Sequence, residues 1–249
     1  MRYLLYRIAI FIFPNKLINT LGSSKTLQPI RNWFFNRNKI LETDKIIRWN
    51  NFEFHFFASH QVLLKASTRG IESSLTKAIL SIIKKDSNII DIGANFGFIT
   101  IVLATFVKNN GGLIYSFECE NKIFQNLQAS IKKNNLNNVK AFHTYLGENN
   151  IDNIKTADSI IYNENLNIDL IKIDTDGSDL ECLKGCSKII ENSHPIIVIE
   201  INDNMKLITK YVKKMGYNYF YNQFLKNFSE DKLIGAEVPN LIASVKRLH

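Results

Sequence analysis

The sequence is poor in the residues that build disulfide scaffolds, linkers and fibres. Its 249 residues include only 3 Cys, 4 Pro and 11 Gly. Three cysteines cannot form the cross-linked framework of a small secreted domain, and so few glycines and prolines exclude a collagen-like or low-complexity chain. With 45% hydrophobic and 22% charged residues, the composition predicts one large globular domain in the cytoplasm.

The sequence also lacks a hydrophobic run of the roughly 20 residues that a membrane-spanning helix needs. The apolar run from Tyr3 to Phe13 is shorter and contains Arg7. Its apolar residues fall at helical spacing, which predicts an amphipathic helix. Such a helix can pack on its own domain, on another subunit or on a membrane surface, and the pattern does not separate these alternatives.

Positive charge is concentrated at one end of the chain. Residues 1–50 contain nine Lys and Arg against two acidic residues, whereas residues 51–249 contain 22 basic and 21 acidic residues. A uniformly basic nucleic-acid-binding domain would not have this distribution, whereas a basic arm on a near-neutral enzyme would, so no nucleic acid partner is expected. We predict a basic amphipathic extension over residues 1–45, with residues 1–40 available for a homo-oligomer contact or for peripheral binding to the inner face of a membrane.

Residues 46–249 are predicted to form one α/β domain with a leading β-hairpin. Stretches rich in β-formers, 46–49 and 52–57, flank Asn50-Asn51, which is typical of a tight hairpin turn. Apolar strands then alternate with amphipathic helices, which favours a parallel sheet covered by helices on both faces. The predicted strands are 88–92, 113–118, 139–145, 168–174, 195–201 and 241–245, and the predicted helices are 73–83, 98–108, 121–134, 178–191 and 203–215.

The first strand of this alternation ends in a glycine-containing loop, Asp91-Ile92-Gly93-Ala94-Asn95-Phe96-Gly97. In doubly wound sheets, ligands bind beyond the carboxyl ends of the strands, where the strand order reverses. Gly93 lets the backbone turn and a ligand approach, and Gly97 opens the next helix. The loop lacks the central glycine against which a pyrophosphate lies, so a dinucleotide is disfavoured. Asp91 suits a cationic ligand better than a phosphate.

The next strand ends in a second acid, Glu118. An acid about 20 residues beyond such a loop can accept hydrogen bonds from both hydroxyls of a ribose. A nucleoside that carries positive charge and no phosphate is S-adenosylmethionine. The sequence therefore predicts an S-adenosylmethionine site at the carboxyl ends of the first two strands.

With these residues in place, the chain resembles the FkbM-type family of S-adenosylmethionine-dependent methyltransferases. The matching stretches lie between about residues 67 and 220, in the family's order: 90–100, Phe117-Glu118, Leu146-Gly147-Glu148, 171–177, Leu183-Lys184-Gly185 and 195–200. The chain departs from the family at Cys119, usually Pro, and at Thr175-Asp176, usually Val-Glu. The resemblance implies a Rossmann-like class I methyltransferase fold, with a seven-stranded, mostly parallel sheet and an antiparallel last strand.

The resemblance also implies a set of cofactor-binding residues. They are Glu72, Asp91, Gly93, Ala94, Asn95, Gly97, Glu118, Leu146 and Gly147. The glycine loop would line the methionine part of the cofactor, Asp91 would face its charged end, Glu118 would hold the ribose, and Leu146-Gly147 would lie near the adenine. Glu72 would face the amino group, although an acid at the start of a helix explains it equally well.

Three further polar residues at strand ends are candidates for catalysis. Transfer to a hydroxyl requires removal of its proton, and Asp174 is the candidate general base or orienting group. Lys172 shares a strand face with Asp174 and needs an acid beside it if it is buried. Glu200 ends the next strand. The structural alternative is that Asp174 only caps the turn that follows it.

The sequence predicts no metal site. The spacing Asp174-x-Asp176-Gly177-x-Asp179 lacks the glycine and the closing glutamate of an EF-hand, so a divalent metal stays open but is not favoured. Family tendency implies methylation of a sugar or glycan hydroxyl. The alternatives are a lipid-linked or small-molecule acceptor at a membrane, and a non-catalytic nucleotide-binding scaffold.

Overall fold

The computed structural model describes residues 43–161, 166–200, 204–227 and 240–248. A compact unit spans Glu42–His249. The extension predicted for residues 1–45 lies outside the described residues, apart from its last three, which belong to the first strand. Among the described residues, no helix is long and apolar enough to cross a membrane.

The domain begins with the predicted hairpin. Strands β1 (Thr43–Trp49) and β2 (Phe52–Ala58) pair antiparallel around Asn50-Asn51. Asn50 adopts a φ of 48°, a left-handed conformation that asparagine tolerates better than most residues. Alternate side chains are buried on one side of the hairpin, and its aromatic rings pack edge-on against Phe98. The hairpin is therefore part of the core.

Nine further strands follow the hairpin in the described residues, and seven of them form the predicted sheet. The strands are β3 (Ile89–Ile92), β4 (Ile114–Glu118), β5 (Val139–His143), β6 (Tyr145–Leu146), β7 (Ile154–Lys155), β8 (Leu170–Ile173), β9 (Ile196–Glu200), β10 (Tyr219–Asn222) and β11 (Asn240–Ser244). The sheet order is β5-β4-β3-β8-β9-β11-β10, and β6 and β7 form a separate small pair. Strand β11 is antiparallel to both neighbours, whereas the other pairs are parallel. This confirms the predicted fold class.

Helices cover both faces of the sheet. They are α1 (His60–Arg69), α2 (Ser73–Ile82), α3 (Phe98–Val107), α4 (Asn121–Lys133), α5 (Ala157–Ile161), α6 (Asp179–Lys184), α7 (Ser187–Ser193) and α8 (Met205–Lys214). Because strand side chains alternate between faces, Ile90 and Ile92 belong to the core under α6 to α8, and Ile89 belongs to the core under the hairpin and α3. The strand interiors are almost wholly apolar for this reason.

Several elements differ from the sequence prediction. Helices α1 and α5 and strands β7 and β10 were not predicted, and the strand expected over 139–145 is two strands, β5 and β6. The helix expected over 178–191 is also two helices, α6 and α7. The break follows Gly185, where an added Cβ would lie 2.1 Å from the carbonyl oxygen of Gly147. Beyond it, the buried carboxylate of Asp158 accepts hydrogen bonds from the backbone N–H groups of Lys188 and Ile189, at 2.9 and 3.0 Å, and so caps a new helix.

Candidate active site

The strand order reverses at β3, which lies between β4 and β8. The loop after β3 bends toward β4, because the backbone N–H groups of Gly93 and Ala94 both donate to the carbonyl oxygen of Phe117, at 3.0 and 2.9 Å. Gly93 has a φ of 74°, and an added Cβ would lie 1.8 Å from the carbonyl oxygen of Asp174. The space beside Gly93 is thus filled by the loop after β8, which gives an intramolecular reason for glycine at this position.

The rest of the glycine loop leads into α3. Gly97 precedes the helix with a φ of 87°, and an added Cβ would lie 2.3 Å from Cδ1 of Leu127 on α4. This confirms the expectation that Gly97 opens the next helix and permits close packing. Ala94 is buried against Phe124 and Leu127, whereas Asn95 is exposed. Asn95 is therefore the side chain that the loop presents to solvent.

Glu118 fastens this loop to the end of β4. Its Oε2 accepts a hydrogen bond from the backbone N–H of Asn95 at 2.9 Å, and its Oε1 accepts one from the N–H of Glu120 at 2.7 Å. The residue is only 7% exposed. A carboxylate has about four acceptor sites, so Glu118 retains the capacity to accept from two ribose hydroxyls.

A buried lysine lies at the centre of the site. The Nζ of Lys172 is 3.5 Å from Oδ1 of Asp91 and 3.5 Å from Oδ2 of Asp174. Asp91 and Lys172 are opposite each other in the pairing of β3 with β8. Burial acts to lower the pKa of Lys172, but Asp91, Asp174 and Glu72 outweigh it and hold that pKa above its ordinary value. The lysine therefore stays charged, and acids lie beside it as expected.

Asp91 is fully buried and has a second set of partners that the sequence did not indicate. Its Oδ2 accepts a hydrogen bond from Oγ1 of Thr100 at 2.6 Å, and Thr100 lies 3.2 Å from Oγ of Ser116. Asp91 and Ser116 are opposite in the pairing of β3 with β4, and Thr100 is in the first turn of α3. The Oδ1 of Asp91 is enclosed and accepts no hydrogen bond.

Glu72 brings a third carboxylate to the lysine from the start of α2. Its side chain makes no hydrogen bond that caps the helix, and its Oε2 is buried without a hydrogen-bond partner. Burial raises the pKa of Glu72, an effect that Lys172 opposes and that Asp174 and Asp91 reinforce. Glu72 thus lies at the start of α2, as the alternative interpretation has it, but its carboxylate makes no capping hydrogen bond.

The hairpin holds Glu72 in place. Glu72 has a φ of 45°, which is strained for a residue with a side chain. An added Cβ at Gly70 would lie 2.3 Å from Nε1 of Trp49, and that indole N–H donates to Oγ of Ser73 at 3.2 Å. The segment that carries Glu72 is thus fixed against the tryptophan of β1.

The turn after Asp174 is stabilised by another acid, Asp179, for which the sequence predicted no role. The N–H and Oγ1 of Thr175 donate to Oδ1 of Asp179, at 2.9 and 3.1 Å. The turn after β8 is therefore stabilised by Asp179, which is fully buried. The side chain of Asp174 is 26% exposed and keeps its ion pair with Lys172.

Glu200 lies beside Asp174 at the end of the neighbouring strand. Ile173 and Ile199 are opposite in the pairing of β8 with β9, so the residues that follow them, Asp174 and Glu200, are adjacent. Partial burial raises the pKa of Glu200 to about 7, and Asp174 is the largest electrostatic contributor. We call Lys172 with the carboxylates of Glu72, Asp91, Asp174 and Glu200 the Lys172 cluster.

Leu146 and Gly147 are fixed by different elements. The N–H of Gly147 donates to the carbonyl oxygen of Lys155 at 2.9 Å, and Sγ of Cys182 donates to the carbonyl oxygen of Leu146 at 3.2 Å. Thr144, just before them, donates its N–H to the carbonyl oxygen of Glu118 at 3.2 Å. This bond joins the segment to the end of β4, where Glu118 lies.

The cluster suits a cationic ligand. Three carboxylates, those of Asp91, Asp174 and Glu72, lie around one lysine, and Glu200 lies beside Asp174. Two of the carboxylate oxygens, Oε2 of Glu72 and Oδ1 of Asp91, are enclosed without a hydrogen bond. Such oxygens favour a ligand with positive charge and N–H donors and repel a phosphate. S-adenosylmethionine carries an ammonium group and a sulfonium, so the residues present fit it. Within the described part of the chain, no three His, Cys, Asp or Glu side chains are grouped to hold a metal ion.

Two family models match consecutive parts of the chain. The methyltransferase FkbM domain matches residues 150–219, and the protein-L-isoaspartate(D-aspartate) O-methyltransferase model matches residues 66–153. No curated protein matches the chain in sequence. The two matches cover the glycine loop, Glu118 and the Asp174 turn, and the first confirms the resemblance stated from the sequence.

Solved structures resemble the fold at low sequence identity. Methyltransferase FkbM from Methylobacillus flagellatus KT superposes with a TM-score of 0.52 at 20% identity, over 65% of this chain and 44% of that chain. This chain thus matches less than half the length of that protein. Precorrin-6y C5,15-methyltransferase from Geobacter metallireducens GS-15 gives a TM-score of 0.49 at 14% identity, over 76% of this chain and 92% of that one.

Proposed function

We propose that this chain, which resembles the FkbM-type S-adenosylmethionine-dependent methyltransferases over residues 150–219, methylates a hydroxyl group of a sugar or glycan. The observation that carries the proposal is the Lys172 cluster at the reversal of strand order. One of its acids, Asp174, is partly exposed at the carboxyl ends of the strands, where a ligand of this fold binds.

The residues that would hold the cofactor divide by the part of it that they suit. Glu72 and Asp91 offer carboxylate oxygens that accept no hydrogen bond to its ammonium group, and Glu118 offers its remaining acceptor sites to the ribose. The glycine loop, fastened to β4 and to Glu118, gives these groups a fixed frame. When bound, the cofactor supplies a methyl group made electrophilic by its sulfonium.

The residues beside it supply orientation and a proton acceptor. Lys172 fixes the carboxylate of Asp174, which accepts a hydrogen bond from the acceptor hydroxyl and aims its oxygen. Glu200, with its pKa raised to about 7, takes the hydroxyl proton onto a carboxylate oxygen as the new O–C bond forms. The adjacent positions of the two acids support this division of roles.

The proposal of a sugar acceptor is based on what is typical of the FkbM-type family. Two alternatives are compared with it. A lipid-linked acceptor at a membrane depends on the basic extension, which lies outside the described residues. A non-catalytic scaffold would leave the Lys172 cluster without a chemical role, although unpaired buried carboxylates reduce stability. We therefore retain catalysis and test the acceptor directly.

The test is Asp174→Asn, assayed with methyl-labelled S-adenosylmethionine and envelope fractions separated into glycan and lipid. Loss of the orienting carboxylate is expected to lower turnover by about 100-fold or more. Calorimetric binding of S-adenosylhomocysteine should stay within a factor of about three, because the amide has the same shape. Asp176→Asn, an exposed acid two residues further on, is the matched control and should keep wild-type turnover.

Each part of the proposal has its own contrary result. Full activity of Asp174→Asn would remove Asp174 from the mechanism. Transfer of the label to lipid and not to glycan would show that the acceptor is a lipid and not a glycan. Absence of binding heat with both S-adenosylmethionine and S-adenosylhomocysteine would remove the cofactor assignment.

A further inference from the structure

A row of polar residues extends from Asp174 across the sheet, away from the cofactor residues. Asn240 is opposite Glu200 in the pairing of β11 with β9, and Glu200 follows in register from Asp174. Asn222 is the last residue of β10 and is opposite Leu241, and Gln223 follows it in the turn, beside the end at which Asn240 begins β11. Asp174, Glu200, Asn240 and Gln223 therefore lie at the same edge of the sheet, at the ends of four adjacent strands. Three strand spacings make this row about 14 Å long.

The far end of the row has an unsatisfied polar group. Gln223 is only 9% exposed, and its Oε1 is enclosed without a hydrogen-bond partner. A buried amide oxygen left without a donor is unfavourable, and native proteins keep few such groups. An O–H or N–H group of a ligand would satisfy it.

The next residue presents an aromatic ring on a rigid turn. Phe224 is 57% exposed. The turn is held by Oδ1 of Asn222, which accepts hydrogen bonds from the N–H groups of Phe224 and Lys226 at 2.9 and 3.0 Å. Leu225 has a φ of 55°, and Tyr221 forms a bridge with Asn227. The ring is thus held at the same edge of the sheet as Asp174, in spite of the loss of apolar burial.

We propose that Gln223 and Phe224 form an outer acceptor subsite. Oε1 of Gln223 accepts a hydrogen bond from a hydroxyl of the acceptor, and the ring of Phe224 packs against the C–H face of a sugar ring. This inference rests on the proposed function and narrows it: because the subsite lies three strands from Asp174, the acceptor has more than one sugar ring. A monosaccharide at Asp174 would not reach Phe224.

The experiment measures how methyl transfer depends on acceptor length. Oligosaccharides released from envelope polysaccharide are sorted by number of rings, and kcat/KM is measured for the wild type, Phe224→Ala and Gln223→Leu. With either variant, kcat/KM for the longer oligosaccharides should fall about tenfold. The kcat/KM for the single-ring fraction should stay at the wild-type value. Binding of S-adenosylhomocysteine should be unchanged.

Two controls separate this effect from misfolding. Tyr219→Ala removes another exposed aromatic of β10, at the opposite end of the strand, and should leave the length dependence intact. Gln223→Leu removes an unsatisfied buried amide and should unfold no earlier than the wild type. A wild type without preference for longer acceptors, or variants that keep the preference, would overturn the subsite. No transfer to any saccharide, with cofactor binding intact, would overturn the sugar acceptor itself and the subsite with it.

Discussion

At the scale of single residues, the charge of Lys172 matters more than its packing. Its side chain is 4% exposed and faces carboxylates of which Asp91 is fully buried. Each ion is costly to desolvate, and the buried charges of Lys172 and Asp91 are tolerated because they pair with each other, with Asp174 as the second partner of the lysine. Such a site keeps the ion pair of Lys172 with Asp91 stable and carries a net negative charge where the cofactor is proposed to bind.

Removal of this lysine should therefore destabilise the fold strongly. Lys172→Met leaves buried carboxylates without a cation, and we expect a loss of about 3–5 kcal/mol in the free energy of unfolding. Lys184→Met breaks the exposed ion pair with Glu148 and should cost at most about 1 kcal/mol. Urea unfolding of both variants measures the difference, and equal losses would contradict the central position of Lys172.

Glu200 should make stability depend on pH. Its pKa is about 7 in the folded chain against an ordinary 4.5, so between these values the folded state binds more protons than the unfolded one. By linkage, this group lowers stability as pH rises from 4.5 to 7. Glu200→Gln should consequently gain stability relative to the wild type across that window, and level off above it.

Glu200→Gln should also change how kcat depends on pH. If Glu200 accepts the hydroxyl proton, wild-type kcat should fall as pH drops below about 7, and Glu200→Gln should lose both rate and that pH dependence. Glu191→Gln, an exposed glutamate on α7, is the control for both profiles. A profile of Glu200→Gln that coincides with the wild type would exclude Glu200 as the proton acceptor.

At the scale of elements, the loops after β3 and β8 fit together through Gly93. Gly93→Ala would place a Cβ against the backbone of Asp174, whereas Gly111, with a similar φ of 84°, has open space at that position. Both alanine variants bear the cost of a left-handed φ, about 1–2 kcal/mol. Gly93→Ala should cost about 1–3 kcal/mol more, because the two loops must separate.

Cofactor binding is a second measure of the contact between Gly93 and the backbone of Asp174. Separation of the loops displaces Asp174 and the glycine loop together, so Gly93→Ala should weaken binding of S-adenosylhomocysteine, and Gly111→Ala should not. Thermal unfolding and calorimetry of the two variants provide the comparison. Equal stability and equal affinity would show that the loops do not depend on each other.

The elements predicted well are those whose signals are local. The hairpin and the buried strands follow from turn residues and apolar runs, and these need no knowledge of distant neighbours. Strand β10 was missed because Tyr219–Asn222 is short and aromatic, with Tyr219 exposed. The break between α6 and α7 was missed because its causes, Gly147 and Asp158, lie well upstream in the sequence.

The candidate site divides in the same way. Asp91, Glu118, Asp174 and Glu200 could be selected from sequence because each ends a predicted strand. Partners on other elements, such as Thr100 and Asp179, could not be, since only packing brings a helix hydroxyl or carboxylate to a particular strand end. The subsite at Gln223 depends on the register of β10, a strand that the sequence did not reveal.

At the scale of the whole molecule, the residues proposed to hold the cofactor come from separate parts of the chain. Glu72 precedes the sheet, Asp91 lies near the end of β3, Glu118 ends β4, and Asp174 follows β8. The hairpin, both core faces and the reversal of strand order must all be in place before these groups meet. Binding at this site is therefore coupled to folding of the entire domain, and not to one loop.

Ligand binding should accordingly raise the unfolding temperature of the whole domain in one transition. A ligand at 100 times its Kd adds about 2.7 kcal/mol to the stability of the folded state, which for a chain of this length corresponds to about 5–10 °C. S-adenosylmethionine and S-adenosylhomocysteine should both give this shift, whereas NAD should give none, because its pyrophosphate meets the Lys172 cluster with like charge. Glu118→Gln should reduce the shift, because its NH₂ group can accept neither from a ribose hydroxyl nor from the backbone N–H that the replaced carboxylate oxygen binds. A shift with NAD alone would mean that the negative cluster does not select the ligand.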